Sequence, residues 1–228
     1  MTTELRIISI GACEMHDLWG ERSAARTGHA TTTLITSGRT RILVDPGLPA
    51  QALAARLRER ANIAPRDITH IFLTSFRPDT RRALPLFEEA IWWISESERE
   101  GVGVPLVSSL QRAEEAGDKE LADTIRAEIE LLRRFEAAPD HLCDRVDLFP
   151  LPGVTPGLAG LIVADTRHTT VICGDAIPTT EHLEQGAVPK WSADAVRAQE
   201  SFADAVEIAD LLILGRDNIV VNPTKRPF

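Results

Sequence analysis

The run Thr69-His70-Ile71-Phe72-Leu73-Thr74-Ser75-Phe76-Arg77-Pro78-Asp79-Thr80 constrains this chain more than any other stretch. A short apolar segment of strand type breaks there into a polar loop that carries an acid, and such loops are where binding and catalytic side chains concentrate. The pattern returns three times. Residues 40–44 lead into Asp45-Pro46-Gly47, residues 169–173 into Gly174-Asp175, and residues 211–214 into Gly215-Arg216-Asp217. These strands alternate with helical patterns, which predicts sheets covered by helices, with the strand ends at Thr74, Leu151, Cys173 and Leu214 converging on one cleft.

The 228 residues, 43% hydrophobic and 26% charged, read as one globular domain spanning 1–228. Thirty-four acidic residues against 25 basic ones give a net charge of -9, which argues against nucleic acid or an anionic membrane surface as the main partner. Residues 1–10 show no basic region followed by a long apolar stretch, and no run approaches the roughly 20 apolar residues that cross a bilayer. A cytoplasmic location is expected. Cys13, Cys143 and Cys173 are scattered and never form a Cys-X-X-Cys pair, so they signal neither a disulfide framework nor a thiolate zinc site and read as small buried side chains.

Along the chain, residues 5–10 form a first strand. Residues 11–28 are a loop holding His16, Asp17 and Trp19, of a length that often borders a site. Residues 30–37 and 40–44 make a hairpin. Across 49–62, Leu53, Ala54, Leu57 and Ala61 recur at helical spacing. A short helix around Pro85 precedes a strand at 91–94, where Trp92 and Trp93 must point to opposite faces. Over 104–138 the apolar residues recur every three or four positions. This predicts two amphipathic helices broken near Gly117-Asp118, with Asp118 as N-cap. Their apolar stripe has to be buried, either over the site or between two copies of the chain as a homodimer. A strand at 146–151, the turn Pro152-Gly153-Val154-Thr155-Pro156-Gly157, and a hairpin of 158–164 with 169–173 follow. Then come a short helix at 179–185, a longer one over 192–209 with Val196, Phe202, Ala205, Val206 and Ala209 inward, and a last strand at 211–214. The basic tail, 222–228, reads as a surface strap.

These motifs, in this order, resemble the metallo-β-lactamase superfamily over most of the chain outside the helical pair. The resemblance implies an α/β fold, a four-layer αββα sandwich of two mixed β-sheets flanked by helices, with 104–138 as a helical insertion. In that family a His-X-His-X-Asp-His loop holds two metal ions. Here Ser75 stands at the first histidine, Arg77 at the second and Thr80 at the last, while Asp79 is kept. Val154 takes the histidine position of the Pro-Gly-His turn, and Arg216 takes that of the final histidine. Asp175 matches the acid that bridges the metals. Asp45 matches the acid that orients the site from below, although it and Asp217 also read as turn- or cap-forming acids.

Guanidinium has no lone pair to donate and stays protonated, so Arg77 and Arg216 cannot ligate a metal and would repel one. Two facing carboxylates without a counter-ion are costly, so the two arginines are expected to neutralise Asp79 and Asp175. The resulting expectation is a fold without the dinuclear metal site and without cofactor. Its function is that of a non-catalytic scaffold or a binder of small anions, with Ser75, Arg77, Asp79, Thr80, Asp175, Arg216 and His182 as ligand-contacting residues. The alternative is a hydrolase of lactone, thioester or phosphoester substrates, using a single zinc, iron or manganese ion on atypical ligands or no metal at all. Of the six histidines, His29 and His182 are placed to reach the cleft. A metal-free site would pair Ser75 with Asp79 and His182, but no Gly-X-Ser-X-Gly elbow surrounds Ser75.

Overall fold

The computed structural model describes residues 3–225, and within them twelve strands form two six-stranded sheets. In the first, β1 (Thr3–Ser9), β2 (Thr32–Ser37), β3 (Thr40–Val44), β4 (His70–Leu73), β5 (Ile91–Ile94) and β6 (Glu136–Ala137) lie side by side in chain order. The first three are antiparallel, and from β3 onward the pairing is parallel. Parallel neighbours need crossovers. Helix α1 (Ala50–Ala61) carries the chain from β3 to β4, and α2 (Glu96–Glu115) with α3 (Lys119–Arg133) carry it from β5 to β6.

The second sheet runs β12-β11-β10-β9-β8-β7. It contains β7 (His141–Cys143), β8 (Val146–Pro150), β9 (Ala159–Ala164), β10 (Thr169–Gly174), β11 (Leu211–Leu214) and β12 (Ile219–Val221). Only its β10–β11 pair is parallel, bridged by α4 (Thr180–Gln185) and α5 (Ala195–Ile208).

Strand alternation sorts the side chains into layers. Ile42, Val44 and Phe72 of the first sheet meet Val146, Leu161, Val163, Ile172 and Ile213 of the second. Leu43, Ile71 and Leu73 point the other way, beneath Leu53 and Leu57 of α1 and Leu132 of α3. On the far face of the second sheet, Val171, Cys173 and Leu212 pack against Ala198, Phe202 and Ala205 of α5. Burying each large apolar side chain contributes about 1.5–3 kcal/mol, and the outcome is the expected αββα sandwich of two mixed sheets flanked by helices.

Several elements differ from the sequence expectation. Helix α2 starts at Glu96 rather than near residue 104 and runs through Pro105. Ser95 caps it by accepting from the Glu98 amide, and Gly101 sits so close to Pro156 that a Cβ there would lie 2.7 Å from the proline Cβ. Packing overrides the weak helical propensity of Gly101-Val102-Gly103-Val104-Pro105. On α5, Val196 is 73% exposed, not inward. Asp194 caps the helix at Ala195, and that start turns Ala198 and Ser201 to the core beside the expected Phe202, Ala205 and Ala209. The chain also ends its sheet on β12, one strand later than expected, and adds β6 and β7, all too short to show a period. Trp92 packs against Phe135 under the helices while Trp93 stacks on His70 across β5, so both tryptophans are used. In the tail, Lys225 donates to the Ile208 carbonyl; residues 226–228 lie outside the described residues. Among the described residues, no helix is long and apolar enough to cross a membrane.

The helical insertion does more than cover the first sheet. Its first turn delivers Glu98 into the interior, where the carboxylate accepts from Phe76 N at 3.0 Å, Thr155 Oγ1 at 2.7 Å and Gly157 N at 3.0 Å. One side chain thereby joins the loop after β4 to the turn after β8. Glu98→Ala leaves the buried Phe76 and Gly157 amides without an acceptor, each costing about 1–3 kcal/mol, along with the part-buried Thr155 hydroxyl. Urea denaturation is expected to show a loss of about 3 kcal/mol or more; a loss under about 1 kcal/mol would contradict this role.

Candidate functional site

The site is assembled at the C-terminal ends of two parallel strand pairs. In the first sheet, β3 ends at Asp45, whose positive φ of 49° turns its carboxylate back toward β4. There Oδ1 accepts from Thr74 N at 2.9 Å and Oδ2 from Thr74 Oγ1 at 2.7 Å. The loop beyond is closed by Thr80, whose hydroxyl lies 2.8 Å from both the Ser75 and Arg77 carbonyls. Gly47 lets that loop approach, since a Cβ there would sit 2.2 Å from the Asp79 carbonyl oxygen. In the second sheet, Gly215 does the same for β10 and β11, where a Cβ would meet Gly174 O at 2.3 Å. Both devices bring Asp79, Asp175 and Arg216 together.

Arg216 occupies the centre. Its Nε and Nη2 donate to the two oxygens of Asp175 at 2.7 and 2.6 Å, and its Nη1 donates to Asp79 Oδ2 at 2.5 Å. Burial works against the Arg216 charge, but the two carboxylates outweigh it and raise its pKa further. Burial likewise would raise the Asp79 carboxyl, and the charge and hydrogen bond of Arg216, aided by Arg77, bring it below its ordinary value. The expected pairing of two arginines with two acids is therefore unequal. Arg77 Nε stands 3.5 Å from Asp79 and 3.7 Å from Asp175 without hydrogen-bonding either. Its guanidinium carbon lies instead 4.1 Å from the ring centroid of Trp191, and its side chain is 37% exposed.

A cavity of about 380 Å³ opens above this pair, lined among others by Met15, Asp17, Arg77, Asp79, His182 and Arg216. Of the other residues expected there, Asp175 lies beneath the floor, and Ser75 and Thr80 are buried within the loop. Ser75 Oγ has no hydrogen-bond partner among the described residues. Val154 packs into the core under α5. His29 is directed elsewhere, with Nε2 3.1 Å from the Ile10 carbonyl. Asp217 caps α4 by accepting from Thr180 N and Oγ1.

Sequence reasoning missed a second polar group beside the cleft. His182 Nε2 lies 3.0 Å from Asp17 Oδ1 and its Nδ1 2.9 Å from Thr179 Oγ1. The same hydroxyl lies 3.1 Å from His16 Nε2. Burial lowers the His182 pKa despite the pull of Asp17. Burial would raise Asp17, but bonds from Lys190 N and His182 bring it down. Asp17 and His16 stand more than 160 residues from His182 and Thr179, and the local hints were the length of the 11–28 loop and the placement of His182 near the cleft.

The residues present do not fit a pair of metal ions. The protonated guanidinium of Arg216 holds the space between the two carboxylates and has no lone pair to give. Among the described residues, no group of three or more His, Cys, Asp or Glu is placed to hold a metal.

The sandwich, with its strand-end loops meeting in one cleft, defines a class, and the chain belongs to it: the model of the metallo-beta-lactamase superfamily matches residues 25–221. Among curated proteins no match is found. Solved structures similar to it include a presumed metallo-beta-lactamase from Thermotoga maritima, 20% identical over 96% of this chain and 99% of that one, with a TM-score of 0.67. AidC, a dizinc quorum-quenching lactonase in complex with the product N-hexanoyl-L-homoserine, is 21% identical over 78% of this chain and 67% of its own, with a TM-score of 0.60. An AiiA variant from B. thuringiensis with bound N-decanoyl-L-homoserine is 19% identical over 91% and 89%, with a TM-score of 0.63. At these identities the likeness is one of fold.

Two outcomes test this electrostatic core. Arg216→Met leaves Asp175 buried without its cation and is expected to cost about 3–5 kcal/mol in urea denaturation, with part recovered by adding Asp175→Asn. A cost under about 1 kcal/mol, typical of an exposed pair, would contradict it. The second concerns Asp45, which burial pushes up to about 7 from an ordinary 3.8 against its bonds from Thr74. A carboxyl that holds its proton more tightly folded than unfolded makes stability fall as pH rises between those two values. The wild-type chain should therefore show that falling component relative to Asp45→Asn, measured as denaturation midpoints across pH; identical profiles would refute it.

Proposed function

We propose that this chain is a metallo-β-lactamase-fold protein whose cleft binds a small carboxylate-bearing ligand on Arg77, rather than one that hydrolyses substrates through a metal pair. The observation that carries this is the state of Arg77. It is the cleft arginine whose half-exposed side chain makes no hydrogen bond among the described residues, and its guanidinium lies over the Trp191 ring. A planar guanidinium presents a fork of donors matched to a carboxylate, and stacking fixes its plane without using them.

Charge narrows the ligand class. Arg77 and Arg216 are set against Asp79, Asp175, Asp17 and Glu14, two cations against four acids around one cavity. A polyphosphate would meet net negative surroundings, whereas a single carboxylate needs one free cation. Met15, Pro178 and Trp191 add apolar surface to the lining, which suits a ligand with an apolar body. Acylated carboxylates such as the N-acyl-homoserines found in the similar structures are therefore suitable first probes.

Isothermal titration with small carboxylates, N-hexanoyl-L-homoserine among them, is expected to show binding that Arg77→Met reduces at least about 10-fold, the loss of one charge-assisted hydrogen bond of about 1.5–3 kcal/mol. Absence of binding by any carboxylate, with Arg216→Met strongly destabilising, would favour a structural cluster sealed by its own salt bridges. Tight one-to-one binding of zinc, iron or manganese that is abolished by Asp175→Ala and accompanied by turnover would favour the hydrolase instead.

A further inference from the structure

Beyond the Arg77 cleft, a second cavity of about 340 Å³ lies on the other side of Cys13 and Arg216, which line both. Its lining includes His16, Trp19, Thr179, Glu181 and Asp217. Thr179 is the N-cap of α4, yet its hydroxyl makes no cap bond. A threonine at that position ordinarily accepts from an amide of the first helical turn. Here the oxygen lies between two imidazoles, 2.9 Å from His182 Nδ1 and 3.1 Å from His16 Nε2.

The proton positions follow from the partners. Asp17, held as a carboxylate by the Lys190 amide, accepts from His182 Nε2, so the proton sits on Nε2 and Nδ1 carries the lone pair. Thr179 then donates its hydroxyl hydrogen to Nδ1, and His16 Nε2 stands 3.1 Å from the same oxygen and 3.4 Å from Glu181 Oε2. His16 is fixed by near-parallel stacking on Trp19, with ring centroids 4.2 Å apart at 5°. Its other nitrogen, Nδ1, is buried without a partner. Carboxylate, imidazole and hydroxyl in this order are the arrangement that activates an oxygen nucleophile.

We propose that Asp17, His182 and Thr179 form a metal-free nucleophilic array that accepts acyl groups from uncharged esters or thioesters. As Thr179 Oγ1 bonds the carbonyl carbon, its proton passes to His182 Nδ1. The tetrahedral adduct collapses with cleavage of the bond to the leaving oxygen or sulfur, which takes the proton from His182. Water, deprotonated by the same nitrogen, then releases the acid and restores the hydroxyl. Asp17 acts through His182 as a positioning residue. Cys13 does not compete as nucleophile, because burial pushes its thiol up to about 12.

This array is independent of the carboxylate reading, and an uncharged probe tests it alone. The full chain is incubated with p-nitrophenyl acetate, release of nitrophenolate is followed, and the acetylated residue is mapped by peptide mass spectrometry. The expected result is an initial burst with the acetyl group on Thr179. It is absent in Thr179→Val, retained at position 179 in Thr179→Ser, and slowed about 100-fold or more in His182→Gln, the contribution of a general base. Should His182→Gln fail to fold, Asp17→Asn is expected to slow the burst while melting shows a folded chain. Acetylation confined to lysines or Cys13, a burst that survives Thr179→Val, or no reaction at all overturns the proposal.

Discussion

A guanidinium buried between two carboxylates is the interaction on which the rest of this structure depends. Arg216 is 6% exposed, and a charge so far from water is tolerable only when paired and hydrogen-bonded. Its partners come from distant chain, Asp175 at a separation of 41 residues and Asp79 at 137, so the pairing joins the ends of both sheets. Each surrounding device serves that geometry. Gly47 and Gly215 permit close backbone approach, Thr80 closes the loop that presents Asp79, and Asp45 ties the loop's origin to β3. Glu98 reaches from the insertion to hold the same loop against the turn after β8. The insertion is thus part of the site's frame rather than an addition to its rim.

The fold was legible where a pattern is local. Apolar strands ending in Asp45-Pro46-Gly47, Gly174-Asp175 and Gly215-Arg216 announce themselves within a few residues, and so does the cap at Asp118, whose side chain accepts from Leu121 N. What the residues concealed was decided by tertiary contact. The first turns of α2 depend on Gly101 meeting Pro156, and the α5 register depends on where Asp194 caps it. Strands of two or three residues, such as β6, have no period to read. At the site, the identities of Arg77, Asp79, Asp175 and Arg216 were legible, but their pairing was not. Two cations and two acids suggest one bond each, whereas fork geometry gives Arg216 both acids. Asp17, Thr179 and Trp191 are invisible to any spacing rule, because they come together only when the 11–28 loop folds against α4 and the segment beyond it.

Between the two acids stands the protonated guanidinium of Arg216, which meets both by hydrogen bonds. A metal pair activates a bound water and polarises a scissile bond. The Arg216 guanidinium has no lone pair to give, and its Nε, Nη1 and Nη2 are all engaged with Asp175 and Asp79. The proposed metal-free reactivity rests instead on a group that carries its own base, the Asp17–His182–Thr179 series. It lies next to the Arg77 cleft, with Arg216 as a shared wall.

The two arginines differ in what a ligand would have to break. Engaging Arg216 means giving up three short hydrogen bonds in a buried setting, each strengthened by charge. Engaging Arg77 means giving up none, because its contacts with Asp79 and Asp175 are purely Coulombic at 3.5 and 3.7 Å and persist when its outer donors turn to a ligand. The carboxylates therefore serve Arg77 as a fixed counter-charge that keeps the guanidinium in place, and Trp191 fixes its plane. Preorganisation of that kind lowers the ordering cost of binding. On the proposed reading, a cleft whose acids outnumber its cations would in this way present one cation to an anion.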